Sequence, residues 1–161
     1  IRLATFRDML NLNKKIYGFD VFGKFPRQKD LHDNNFIKKF EEISGDGISL
    51  VELKKFLKIK KITNFELCKG DILKSLRKFL LKNKQINISL LHIDVDVYAP
   101  TKIILENLYD KVSKNGIIIF DDYSIIKGET DAINDFFESR KIKKNFKKIK
   151  FSNGPFFHIK K

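Results

Sequence analysis

Two apolar runs that stop abruptly at carboxylates constrain this chain more than any other feature. The first is Leu90-Leu91-His92-Ile93-Asp94-Val95-Asp96-Val97-Tyr98, and the second is Ile117-Ile118-Ile119-Phe120-Asp121-Asp122-Tyr123. Short, continuously apolar segments suit strands covered on both faces, as in a parallel α/β sheet. Between them, Thr101 to Val112 has room and periodicity for one helix. A single right-handed crossover most simply makes the two strands sheet neighbours. Their tips then lie about 5 Å apart, the spacing of adjacent strands. In open α/β sheets ligands bind beyond the carboxyl ends of the strands. Asp94, Asp121 and Asp122 can therefore converge, and a hard divalent cation would relieve their mutual repulsion. All-oxygen donors favour magnesium, calcium or manganese over zinc. The plainer alternative is that these acids cap helices or open solvated loops.

The rest of the chain alternates in the same way, and the 161 residues suffice for one domain with a buried core. Expected strands are Lys15–Asp20, Asn64–Lys69, Ile88–Ile93, Ile117–Phe120, Phe146–Phe151 and Phe156–Ile159. Expected helices are Arg2–Leu10, Asn35–Ile43, Ser49 to about Lys60, Ile72–Leu81, Thr101–Val112 and Thr130–Arg140. Ser49-Leu50-Val51-Glu52 reads as a capping box. No apolar run approaches the roughly 20 residues of a membrane span, and no signal-peptide pattern opens the chain. The single cysteine, Cys68, excludes an internal disulfide framework and suits a reducing, cytoplasmic setting.

The net charge of +13 raises nucleic acid as a partner. Lysine carries most of it, whereas arginine, the better residue for bidentate phosphate contacts, is sparse. Lysine, isoleucine, asparagine and phenylalanine all have A/T-rich codons, so genome composition accounts for the bias, and neither nucleic acid nor membrane is expected as a partner. Asp46-Gly47-Ile48 invites comparison with a calcium-binding loop, but the register puts Leu53 where the bidentate acid belongs. A helix–loop–helix junction is the better reading.

Three enzyme classes place acids on such strand tips. Haloacid-dehalogenase phosphatases need a Ser/Thr motif and a lysine on separate elements between the two acidic motifs, and the stretch from Asp94 to Asp121 has room for one helix only. A metal-dependent nucleotide-sugar glycosyltransferase would use Asp94-Val95-Asp96 but leaves Asp121-Asp122 unexplained. The third class fits both pairs. Leu90 to Tyr98 and Ile117 to Tyr123 resemble the macrocin-type O-methyltransferases, class I S-adenosylmethionine-dependent enzymes that methylate sugar hydroxyls. The likeness extends through Tyr17-Gly18-Phe19-Asp20-Val21-Phe22, Gly128, Ala132-Ile133-Asn134-Asp135-Phe136 and Phe156-Phe157-His158-Ile159-Lys160. The chain departs from the family pattern at Val21, Gly23, Lys24, His92 and Lys74, which bears on the substrate.

The resemblance implies a Rossmann-like class I methyltransferase sheet of order 3-2-1-4-5-7-6 across a single domain, 1–161. The glycine-rich turn after strand 1 is not found in this sequence; Arg2–Leu10 looks like the helix that would follow it. Strand 1 is therefore expected upstream of Ile1, the chain being a fragment of a longer enzyme. By the same resemblance Asp94, Asp121 and Asp122 hold Mg2+ or another hard divalent cation, and Asp94 doubles as general base. Asp96 is expected behind the ligands or in the loop. Asp20, ending the second strand, accepts hydrogen bonds from ribose hydroxyls of S-adenosylmethionine, the alternative being that it starts a turn. Asp71 or Ile72 is expected against the adenine. Tyr98 and Tyr123 wall the acceptor pocket or pack in the core. His92 reads as a core or rim histidine, and His32 and His158 have no partner pattern. The expected partner is a sugar-like hydroxyl acceptor, with self-association into a homo-oligomer compatible. A non-catalytic basic binding domain is the alternative outside enzymes.

Overall fold

The computed structural model describes residues 1–150 and 154–161. The expected end of the fifth strand at Phe151, and Ser152 and Asn153 in the turn after it, lie outside the described residues. The chain divides into two compact units, Ile1–Arg27 with Asn35–Phe79, and Gln28–Asn34 with Leu80–Lys161.

The first unit holds α1 (Arg2–Met9), β1 (Ile16–Asp20), most of α2 (Leu31–Ser44), α3 (Leu50–Ile59), β2 (Phe65–Lys69) and the start of α4 (Ile72–Lys82). β1 and β2 run parallel, with Ile16 opposite Phe65 and Asp20 opposite Lys69. Ala4, Leu57 and Ile62 form its buried centre, flanked by Ile16, Leu53, Phe65 and Leu67. Arg7 is buried as well, because its guanidinium donates to the carbonyls of Lys14, Thr63 and Asn64 where the two strands begin. α2 starts before the expected Asn35, since the Asp30 side chain accepts the Asp33 N–H and caps the helix. Between α2 and α3, Gly45 takes a left-handed φ of +67°, and Ser49 and Glu52 close the expected capping box. The helix–loop–helix reading of this segment holds.

The second unit contains β3 (Ile88–Ile93), α5 (Tyr98–Leu108), one turn of 3-10 helix (Tyr109–Lys111), β4 (Val112–Phe120), α6 (Lys127–Ser139), β5 (Lys147–Lys148) and β6 (Phe156–Ile159). Its sheet has the order β3-β4-β6-β5. β3 and β4 are parallel, β6 runs antiparallel to β4, and β5 antiparallel to β6. β4 starts five residues earlier than its apolar run, at the polar stretch Val112–Asn115. Ile93, Leu105, Ile118, Phe120, Ile133 and Phe137 are fully buried. His158 belongs to this core, edge-on to Phe137 at 5.0 Å between ring centres, and burial pushes its pKa down.

These pairings are those of strands 3-2, 4-5, 5-7 and 7-6 in the expected sheet. Among the described residues no strand pairs with both β1 and β3, so the continuous order is not itself seen. No helix among them is long and apolar enough to cross a membrane.

Candidate functional site

β3 and β4 end level with each other, because Ile93 pairs with Phe120 and the Asp121 N–H donates to the Ile93 carbonyl at 3.0 Å. The register sets the four acids of the two tips side by side. Oxygens of Asp94, Asp96 and Asp122 lie within 4.8 Å of one another, as do ligand atoms of His92, Asp94 and Asp121. Asp94 thus belongs to both groups. His92 reaches Asp121 through Nε2 at 2.9 Å, on the exposed face of β3. The rim position expected for His92 is the one it occupies, with an acid partner that the sequence pattern did not supply.

Crowding and burial shape the electrostatics. Asp96 is half-buried, and its carboxyl is pushed up to about 7, first by desolvation and then by the charge of Asp122. Asp122 is raised too, by desolvation ahead of the charge of Asp121, while a hydrogen bond shared with Asp96 works the other way. Burial and mutual repulsion thus both disfavour ionising the two carboxyls together. Carboxylates gathered at this cost are the donor set that a hard divalent cation takes, and Asp94, Asp96, Asp121 and Asp122 could hold one.

Asp96, expected behind the ligands or in the loop, has a left-handed φ of +62° and its carboxylate lies among the clustered oxygens. Other supporting residues, Asp33 and Glu129 above all, were not legible as such in the sequence. Asp33, only 3% exposed, accepts the Tyr98 N–H at 2.9 Å at the start of α5. Gly128 sits against the same turn. A Cβ there would lie 2.3 Å from Asp33 Oδ1 and 2.9 Å from the Tyr98 nitrogen, so only glycine fits without displacement. Glu129 is fully buried and donates its N–H to the Asp96 carbonyl. Burial first, then the nearby acids, pushes its carboxyl up to about 8. The signal that could have found Glu129 was an acid on the apolar face of α6, beside Ala132 and Ile133. Tyr98 donates to Asp135 at 2.7 Å, and Tyr123 to Asn134 at 3.1 Å.

The other predicted residues sit at the matching end of the first unit. Asp20 is exposed at the carboxyl end of β1, where its Oδ1 accepts the Phe22 N–H at 2.6 Å. Asp71 follows β2 and accepts the Leu73 N–H, and Ile72 opens α4. The Gly70 N–H donates to the Asp20 carbonyl, joining the two tips. An exposed carboxylate beyond a strand end fits a hydroxyl-bearing ligand such as the ribose of S-adenosylmethionine.

The sequence model of the family described as Macrocin-O-methyltransferase (TylF) matches residues 8–158. The chain belongs to this family. Among solved structures, the O-methyltransferase NovP superposes with a TM-score of 0.83 at 18% identity, covering 98% of this chain and 65% of its own. CalS11, a calicheamicin methyltransferase, gives 0.71 at 21% identity over 98% and 65%. Its apo structure, described as a TDP-rhamnose 3'-O-methyltransferase, gives 0.66 at 21% identity over 98% and 64%. At such identities the likeness is one of fold, the mixed α/β arrangement of strands and helices described above. The chain spans about two thirds of the length of these structures. No curated protein matches it.

Proposed function

We propose that this protein is an S-adenosylmethionine-dependent O-methyltransferase, assisted by a divalent cation and acting on a hydroxyl of a sugar or glycosylated small molecule. One observation carries the reading: in a chain of the macrocin-O-methyltransferase family, four aspartates crowd the tips of two neighbouring parallel strands. A cofactor-bound sulfonium methyl and an acceptor hydroxyl made more acidic by a cation are the chemistry these groups supply when bound.

In this reading Asp94, Asp121 and Asp122 hold the cation, Mg2+ being the expected one. Asp94 is the general base, at the point where the acceptor loses its proton. Asp96 stands beside it, its carboxylate within 4.8 Å of those of Asp94 and Asp122. Asp20 binds the cofactor's ribose hydroxyls, and Asp71 or Ile72 lies against its adenine. Tyr98 and Tyr123, held by Asp135 and Asn134, orient the acceptor. The family, the sparse arginine and the Cys68 thiol together suit a cytoplasmic enzyme of small molecules.

The test is calorimetry of the protein with S-adenosylmethionine and with a nucleotide-diphosphate sugar. It is followed by methyl transfer from labelled cofactor to sugar acceptors, with and without chelator. Cofactor binding and chelator-sensitive transfer are expected. Binding of the nucleotide sugar alone would return the acids to glycosyl transfer.

A further inference from the structure

α6 begins where the four acids meet, and its third residue turns inward. Glu129 has no exposed surface. Its backbone N–H donates to the Asp96 carbonyl at 3.1 Å, and its Oε1 accepts the Asp122 N–H at 3.2 Å. One residue thus ties the loop after β3 to the loop after β4. That leaves the second oxygen, Oε2, buried and without a hydrogen-bond partner among the described residues. A buried acceptor without a donor is costly, and native proteins seldom leave one without a reason such as a water or an ion. The carboxyl contacts the acid cluster directly, through Oε1 on the Asp122 N–H, and it feels the charges of Asp122, Asp96 and Asp94.

Glu129 nevertheless stands outside the groups whose ligand atoms come within 4.8 Å of one another. It stands behind them, joined to the Asp96 carbonyl and the Asp122 N–H and not among the clustered oxygens. Hard cations such as Mg2+ keep several of their waters when only a few carboxylates hold them. Groups that orient such waters and ligands from behind tune affinity strongly.

We propose that Glu129 is a positioning residue of the cation site. Its Oε1 fixes the Asp122 backbone, and in the cation-loaded protein, where the added positive charge favours the ionised carboxylate, its Oε2 accepts a hydrogen from a water on the cation. This rests on the cation reading given under Proposed function.

The experiment uses Mn2+ as the probe, with affinity and bound-water number read from electron paramagnetic resonance and water-proton relaxation. Wild type, Asp122→Asn, Glu129→Gln and Glu129→Asp are compared, each with its melting temperature in chelator. Glutamine keeps an acceptor for the Asp122 N–H but turns an amide donor towards the water. Glu129→Gln is expected to melt as wild type and to bind Mn2+ about 10- to 100-fold more weakly, with fewer ordered waters. Glu129→Asp keeps the carboxyl group and shortens the reach, so its affinity should also fall, which covers the case of a glutamine variant that does not fold. Wild-type Mn2+ affinity in either folded Glu129 variant, alongside loss in Asp122→Asn, would overturn the role of Glu129 and leave the cation reading standing. A wild-type protein that takes up no Mn2+ would overturn both.

Discussion

The two pairs of parallel strands in this chain end alike and differ in what their acids do. At the tips of β1 and β2, Asp20 and Asp71 each accept one backbone N–H of the turn that follows. They act singly, Asp20 exposed and Asp71 half-buried, which suits acceptors for a neutral, hydroxyl-rich ligand. At the tips of β3 and β4 the acids are crowded, Asp94 exposed and Asp96, Asp121 and Asp122 half-buried, with Glu129 buried behind them. Isolated carboxylates can recognise a ligand by hydrogen bonds, whereas crowded ones are stable only with a proton or a cation among them. Substitutions at the two ends should therefore fail in different measurements.

The largest effect is expected at the crowded end. Asp121→Asn or Asp122→Asn should cut methyl transfer by about 10²-fold or more, since the charge stabilisation a cation supplies is worth several kcal/mol. Cofactor affinity should change far less. Full activity in excess chelator, or in the double asparagine variant, would break the distinction drawn between the ends.

The complementary substitution sharpens it. Asp20→Ala should weaken S-adenosylmethionine binding by about 1.5–3 kcal/mol, the range for hydrogen bonds that involve a charged group. Cation affinity should not move. If calorimetry shows wild-type cofactor affinity in a folded variant, the Asp20 carboxylate serves only its own turn at Phe22.

Most of the architecture was legible because it is written in periods and breaks that are local in sequence. Ile88–Ile93 and Phe156–Ile159 appear with the boundaries their apolar runs imply. The capping box at Ser49 appears for the same reason. Boundaries moved where a distant or polar contact decided them. β4 reaches back over Val112–Asn115 because the Asn115 N–H finds the Lys160 carbonyl across the sheet. The parallel neighbourhood of β3 and β4 followed from one short crossover, and with it the meeting of the acids. Glu129 and Asp33 were not legible in their roles. Their partners are backbone groups, the N–H of Asp122 and Tyr98 and the carbonyl of Asp96, which carry no side-chain identity and leave no pattern in spacing.

The smallest effect should appear in the stability of the cation-free protein as pH changes. Asp96 and Glu129 have carboxyls pushed up to about 7 and about 8, against roughly 4 for the same groups in an unfolded chain. Between those limits the folded state binds more protons than the unfolded state, so stability is lost as pH rises. His158, buried with a lowered pKa, works the other way, because the unfolded chain takes up its proton more readily. It acts only below the ordinary histidine range, however, and it is one group against two. Glu52 and Asp110, whose carboxyls are held low by Ser49 and Arg140, matter only at more acidic pH. The melting temperature in chelator should therefore fall from about pH 6.5 to about pH 8.5, the window above the histidine range and across both raised carboxyls. A cation competes with protons for the same oxygens, so added Mg2+ should raise the melting temperature more at the alkaline end than at the acidic one. Asp96→Asn should flatten the profile without abolishing the fold. A profile flat in chelator and indifferent to Mg2+ would mean that crowding at the β3 and β4 tips carries no cost, and the contrast between the two ends would lose its physical basis.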